Sequence, residues 1–180
     1  MEPAPSETFV VGGIYLAMFV LGSVDAGLYM AIYHHTGQNG GGKRHGIVGS
    51  TESGWVLASR NISLRGFTQS LVGLMRIGSC SVQAKEKNAG MEYASEMDNI
   101  VKDVKSDKVP KDFTELNCIS WTLTVVKECV TKGLVKCGDV EALGLEALTW
   151  AEENRHVVDG GFSSWGDDIL VTDSTLCNFD

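Results

Sequence analysis

The sequence is short of basic side chains, of metal-ligand spacings and of any membrane-length apolar run. Fifteen Lys and Arg stand against 23 Asp and Glu in 180 residues, a formal net charge of −8. Binding a phosphate backbone needs a basic surface, so nucleic acid is not an expected partner. The shortage is sharpest at the C-terminal end, where residues 139–180 hold ten acids, one Arg and no Lys. The five cysteines, Cys80, Cys118, Cys129, Cys137 and Cys177, contain no CxxC pair. No metal site is expected from that spacing, and an odd count at this length argues against a disulfide framework. Free thiols imply a reducing compartment, so the expected location is cytoplasmic. The sequon at Asn61 would matter only in a secreted chain.

The run FVVGGIYLAMFVLGSV, Phe9 to Val24, is too short to span a bilayer and carries three glycines. Glu2 and Glu7 precede it and the first Lys or Arg is Lys43, so it lacks the basic start of a signal peptide. It reads as a buried strand, and no membrane span is expected. The glycine-rich GQNGGGK does not match the phosphate-loop pattern, and no helix comes after it. It reads as a hairpin loop, and no cofactor is expected. No internal repeat is visible.

What is present is ordinary for a globular chain: 43% hydrophobic and 21% charged residues, enough for one core. Residues 1–8 read as a disordered lead-in, 9–156 as a single domain and 157–180 as an acidic C-terminal tail. Strands are expected at Phe9–Leu21, buried on both faces, at Leu28–His35, at His45–Gly49, within ESGWVLASRNIS and at Ser70–Val82. The pattern then turns helical. Tyr93, Met97, Ile100, Val101 and Val104 form one stripe in MEYASEMDNIVKDVK, and SDKVPKDFTEL, with Pro110, breaks it. A second helix opens after Asn117 as N-cap and stops at Gly133, with Trp121, Val125 and Cys129 facing inward. A third opens after Asp139. Strands first and helices second is the α+β signature: an antiparallel sheet of about five strands against two or three helices.

Three of the four histidines fall within twelve positions, His34, His35 and His45. Neighbouring strand residues point to opposite faces, so at most one of His34 and His35 faces any site. A two-histidine metal site lacks a third ligand. His45 opens a strand and can orient or polarise a site; a surface role is the plainer alternative. Cys118 follows an N-cap and sits in the first helical turn, where the dipole favours a thiolate. There it can act as a nucleophile on a carbonyl, with a His moving the protons. A small buried hydrophobe is the alternative. Cys129 reads as core, and Cys80, Cys137 and Cys177 carry no pattern.

The order of IYLAMF (Ile14–Phe19), GLYMAIY (Gly27–Tyr33), RHGIV (Arg44–Val48), GWVLASR (Gly54–Arg60), MRIGSCSV (Met75–Val82) and NCISWTLTVVKECVTKGLV (Asn117–Val135) resembles a known family. It is similar to the circularly permuted papain-like superfamily NlpC/P60, in its lecithin:retinol acyltransferase-like branch, and to uncharacterised fungal proteins of that kind. The resemblance implies a permuted papain-like fold. It implies Cys118 as nucleophile and His45 as the second histidine of the site. The general base of that family is the His of an HWAL-like strand. Tyr29 stands at that position here, and Met30 where Trp is usual. A phenol titrates near 10 in the reference state, so Tyr29 is a poor base at neutral pH and suits a hydrogen-bond donor better. The implied function is a cysteine-dependent acyltransferase or amide/ester hydrolase with a degenerate base and a small-molecule or acyl substrate. The alternative is an inactive member of the fold that binds a small ligand or a protein partner.

Overall fold

The computed structural model describes residues 9–21, 27–38, 41–63, 70–88, 90–159 and 169–180. The N-terminal apolar run folds as β1 (Gly13–Val20), with all eight residues buried. Ile14, Leu16, Met18 and Val20 enter the larger core, while Tyr15, Ala17 and Phe19 enter a second core on the other face. A strand apolar at every position must be covered on both sides, and this one is.

β2 (Leu28–His34) and β5 (Leu71–Ser79) flank β1, both antiparallel to it. Outside β2 lie β3 (Gly41–Ser50) and then β4 (Gly54–Ser63). Two small ladders come later in the chain, the hairpin of β6 (Gln83–Lys87) with β7 (Gly90–Ala94), and β8 (Lys136–Cys137) with β10 (Cys177–Asn178). The last strand of the main sheet is β9 (Val171–Asp173), parallel to β5. The main sheet thus has six strands in the order β4-β3-β2-β1-β5-β9. The helices are α1 (Glu96–Asp103), α2 (Cys118–Thr131), α3 (Val140–Glu153) and the short α4 (His156–Asp159).

The α+β class is as expected. The strand count is not: the described residues form ten strands where about five were expected, and the main sheet is mixed. The expectations that differ share one cause, the lack of a burial pattern. Both β6 and β7 are almost wholly exposed, so neither shows an alternation to read. Met91 to Ala94 therefore pairs as a strand where a helix was expected. The helix starts only at Glu96, where Ser95 and Asp98 close a capping box. Within the expected tail, the three residues of β9 are too few for any period. They are held by the sheet ladder and by a two-pronged Arg76–Asp173 contact of 2.7 and 2.8 Å. The lead-in 1–8, the turn at 22–26 and residues 160–168 of the expected tail lie outside the described residues.

The glycine-rich loop is also shorter than expected, because Gly41 and Gly42 belong to β3. A Cβ at Gly41 would stand 2.0 Å from the Ile62 carbonyl oxygen, and one at Gly42 2.1 Å from that of His34. Only glycine lets β3 enter between its neighbours this closely.

α2 lies on the sheet through Trp121, Val125, Val126 and Cys129, all fully buried. The indole N–H of Trp121 donates to the Val104 carbonyl at 3.3 Å, so the largest buried side chain leaves no orphaned polar atom. α3 packs beside it through Leu143, Ala147 and Ala151.

Candidate functional site

β2 and β3 part company where the candidate residues cluster. β3 is paired with β4 over ten residues, but with β2 over only three: Ile32 with His45, Tyr33 with Arg44 and His34 with Lys43. Beyond the His45 pair the two strands diverge, and main-chain groups of both need other partners. Two side chains take up main-chain carbonyls at the fork. The Thr122 hydroxyl of α2 donates to the Met30 carbonyl at 3.2 Å. The Tyr29 hydroxyl donates to the Ile47 carbonyl of β3 at 2.9 Å.

Tyr29 thus stands in for part of a missing strand ladder. Its ring meets Phe19 edge-on at 5.8 Å, on the side of the second core. Burial pushes its phenol up to about 12 against the pull of Arg44, so it stays protonated and a donor. A Cβ at Gly46 would stand 2.4 Å from the Tyr29 oxygen, so the contact also depends on a glycine opposite.

Cys118 opens α2, as the Asn117 signal implied. The Asn117 carboxamide oxygen accepts from the amides of Ile119 and Ser120 at 3.0 and 2.9 Å, and the Ser120 hydroxyl accepts from the Asn117 amide at 2.9 Å. The cap takes the Ser120 amide and shares the Ile119 amide with the Cys118 thiol. The Cys118 side chain is 8% exposed. Burial pushes its thiol up, and the opposing main-chain hydrogen bonds from Met30, Ile119 and Cys118 itself do not reverse that.

His45 pairs with Ile32 and so shares the helix-facing side of the sheet. It is 1% exposed. Its Nδ1 and the Ser59 hydroxyl are 2.8 Å apart across the β3–β4 ladder, and among the described residues its Nε2 has no hydrogen-bond partner. Burial lowers its pKa to about 4; the nearby Asp98 carboxylate raises it, while His34 and Lys43 lower it further. Asp98 is itself engaged by Lys43 at 3.0 Å and by the Ser95 amide at 3.0 Å. His45 is a neutral imidazole at physiological pH.

Cys118 and His45 face the same side of the sheet, but no hydrogen bond joins them. Tyr29, one residue out of phase with Met30 and Ile32, packs against both cores, and its phenol feels Cys118 without hydrogen-bonding it. The three candidates are thus gathered around one fork in the sheet without converging on one point. His34 and His35 are also buried and lowered by burial. His34 donates from Nε2 to the Cys80 carbonyl at 2.9 Å, which leaves Nδ1 to accept from Ser95 at 3.3 Å. His35 contacts the Tyr33 hydroxyl at 2.9 Å and stacks near Phe9. Both are held in the fold. Sequence reading missed Ser59 and the main chain of Met30, which are the nearest partners of His45 and Cys118. Strand register alone brings them there. Among the described residues no cluster of His, Cys, Asp and Glu could hold a metal ion.

Comparison with protein-family descriptions, with curated proteins and with solved structures finds no match for this chain.

Proposed function

We propose that this chain is a binding protein on a permuted papain-like framework, catalytically silent, which docks an extended acidic segment of a partner protein along β4. The observation that carries it is the edge of the main sheet at β4, which among the described residues pairs with no strand on its outer side. β4 presents ten residues with an unbroken register to β3, no proline and one charge, Arg60. Natural sheets commonly blunt such an edge with shortness, bulges, lysine or proline. The opposite edge obeys that rule, since β9 is three residues long. On one face of the β3–β4 ladder Arg44 stands directly across from Arg60, and neither forms an ion pair among the described residues. Two like charges placed opposite each other disfavour the ladder unless an anion lies between them. Val48 and Val56, another cross-strand pair on that face, are 43% and 62% exposed. An added strand with alternating apolar and acidic side chains fits this surface.

The framework is supported by Cys118 at the start of a helix that lies on β2 and β3, with His45 on β3 toward the same side. The silent reading is supported by a thiol raised by burial, a histidine lowered to about 4 and no hydrogen bond between them. Nucleophilic catalysis asks for the reverse: a lowered thiol beside a base within reach.

Iodoacetamide at pH 6 tests the silent half. Slow modification of Cys118 is expected. Rapid labelling of a single thiol, lost in Cys118→Ala, would restore the hydrolase or acyltransferase reading. A Val–Glu alternating octapeptide tests the docking half by calorimetry. Binding should weaken at least tenfold with added salt, with Arg60→Glu or with alternate peptide nitrogens methylated. Equal affinity for a Val–Lys peptide, or no saturable binding, overturns it.

A further inference from the structure

The β8–β10 ladder brings together two cysteines that stand forty positions apart in the chain. Cys137 and Cys177 are direct cross-strand partners and both are partly exposed, whereas Cys80, Cys118 and Cys129 are buried. Directly opposed residues of an antiparallel pair have Cα atoms roughly 4.5–5.5 Å apart. That lies within the span of about 4.4–6.8 Å over which a disulfide closes. The two thiols lie close enough for each to perturb the other's ionisation.

The residues around the pair form a strap. β9 lies on β5, Asp173 takes both prongs of Arg76, and Phe179 sits under the same guanidinium at 4.3 Å. The Glu146 carboxylate of α3 accepts from the Ser174 hydroxyl, the Thr175 amide and the Thr175 hydroxyl. Beyond Thr175 the strap is held by two residues of ladder, Cys177 and Asn178, by Phe179 under Arg76, and by Lys136 reaching the Asp180 carbonyl.

We propose that Cys137 and Cys177 are a redox modification site, a dithiol that hydrogen peroxide converts to a disulfide, locking the C-terminal strap to β8. The Cys137 sulfur attacks one peroxide oxygen, the O–O bond breaks, and a sulfenic acid and one water form. The Cys177 sulfur then attacks the Cys137 sulfur and displaces the hydroxyl as a second water. The two thiols are oxidised by two electrons, the peroxide is reduced by two, and both thiol protons leave in water. Cys177 suits the second role, because burial pushes its thiol up to about 12 and it keeps its proton until the sulfenic acid is beside it. The closed loop contains α3, α4 and β9, so the bond constrains a long stretch of the unfolded chain.

The test uses the full chain with stoichiometric hydrogen peroxide, and then dithiothreitol. The expected result is an intact mass lower by two hydrogen atoms and a peptide linking Cys137 to Cys177. The melting temperature should rise by roughly 5–15 °C, and reduction should reverse both changes. Cys137→Ser and Cys177→Ser should each abolish the mass loss, and Cys118→Ser should leave it intact. Added oxygen without linkage, linkage between two molecules, or a mass loss that survives in Cys177→Ser overturns the proposal. Linkage without a rise in melting temperature overturns the locking of the strap.

Discussion

The β1–β2 hairpin and the β3–β4 hairpin are neighbours in one sheet, but they are stabilised differently. In the first, seven residue pairs run between two apolar strands, and β1 is buried along its whole length. In the second, ten pairs join a half-buried β3 to β4, of which no residue is buried. Apolar burial drives the first hairpin, and main-chain pairing with small cross-strand contacts carries the second. The three-residue seam between them is where the candidate residues lie. Side chains that do not serve packing are tolerated at such a seam, and this is where histidines, a half-buried phenol and the first-turn thiol of α2 have gathered.

The contrast can be broken most directly by deleting volume on each side. Trp121→Ala, under the first hairpin, is expected to cost about 3–5 kcal/mol in urea unfolding. Val56→Ala, on the second, is expected to stay within about 0.5 kcal/mol. Comparable losses would mean that the wing is as tightly determined as the centre.

Acidification probes the seam. The folded His45 protonates only near 4, and the unfolded chain near the reference value of about 6.5. Between those values the unfolded chain binds more protons, so stability is full above about 6.5 and declines as the pH falls through the window. The His45 share amounts to about 3 kcal/mol by the time the window is crossed. His34 and His35, also lowered by burial, act in the same direction. Asp98, kept low despite burial by its bonds to Lys43 and the Ser95 amide, adds a further loss only below its ordinary range. His45→Gln should flatten the unfolding midpoint between pH 4 and 6.5. An unchanged acid slope would show that His45 is not the group responsible.

The smallest effects come from the fork. Gly46→Ala should cost about 1–3 kcal/mol, since its methyl would meet the Tyr29 oxygen. Tyr29→Phe removes one hydrogen bond and should cost about 0.5–1.5 kcal/mol. The double variant should cost less than the two together, because the phenylalanine vacates the space the methyl needs. Simple additivity would mean that Tyr29 does not brace the strands.

Legibility tracked the burial pattern. The apolar run Phe9–Leu21 announced a strand buried on both faces, which holds for Gly13–Val20 but not for the exposed Val10, Val11 and Leu21, and Trp121, Val125 and Cys129 announced the inner face of α2 through their four-residue spacing. The Asn117 and Asp139 caps were readable because short polar side chains at helix starts have one main use; both accept from first-turn amides. β6, β7 and β9 were not readable, since exposed or three-residue strands leave no period. At the candidate site, the residue types were visible but their relations were not. His45 looked like a site residue on its own, and nothing in the chain near it pointed to Ser59, fourteen positions on.

Composition and local pattern by themselves determined the acidic charge, the α+β class, the core strand, and the caps of α2 and α3, because each depends on residues close together in the chain. Tertiary structure alone decided that β2 and β3 separate after three pairs, that the Tyr29 hydroxyl is spent on the Ile47 carbonyl, and that Cys137 pairs with Cys177. Those outcomes depend on strand register and on which chain segments lie side by side, and register is set by packing across the whole sheet rather than by any one stretch of sequence.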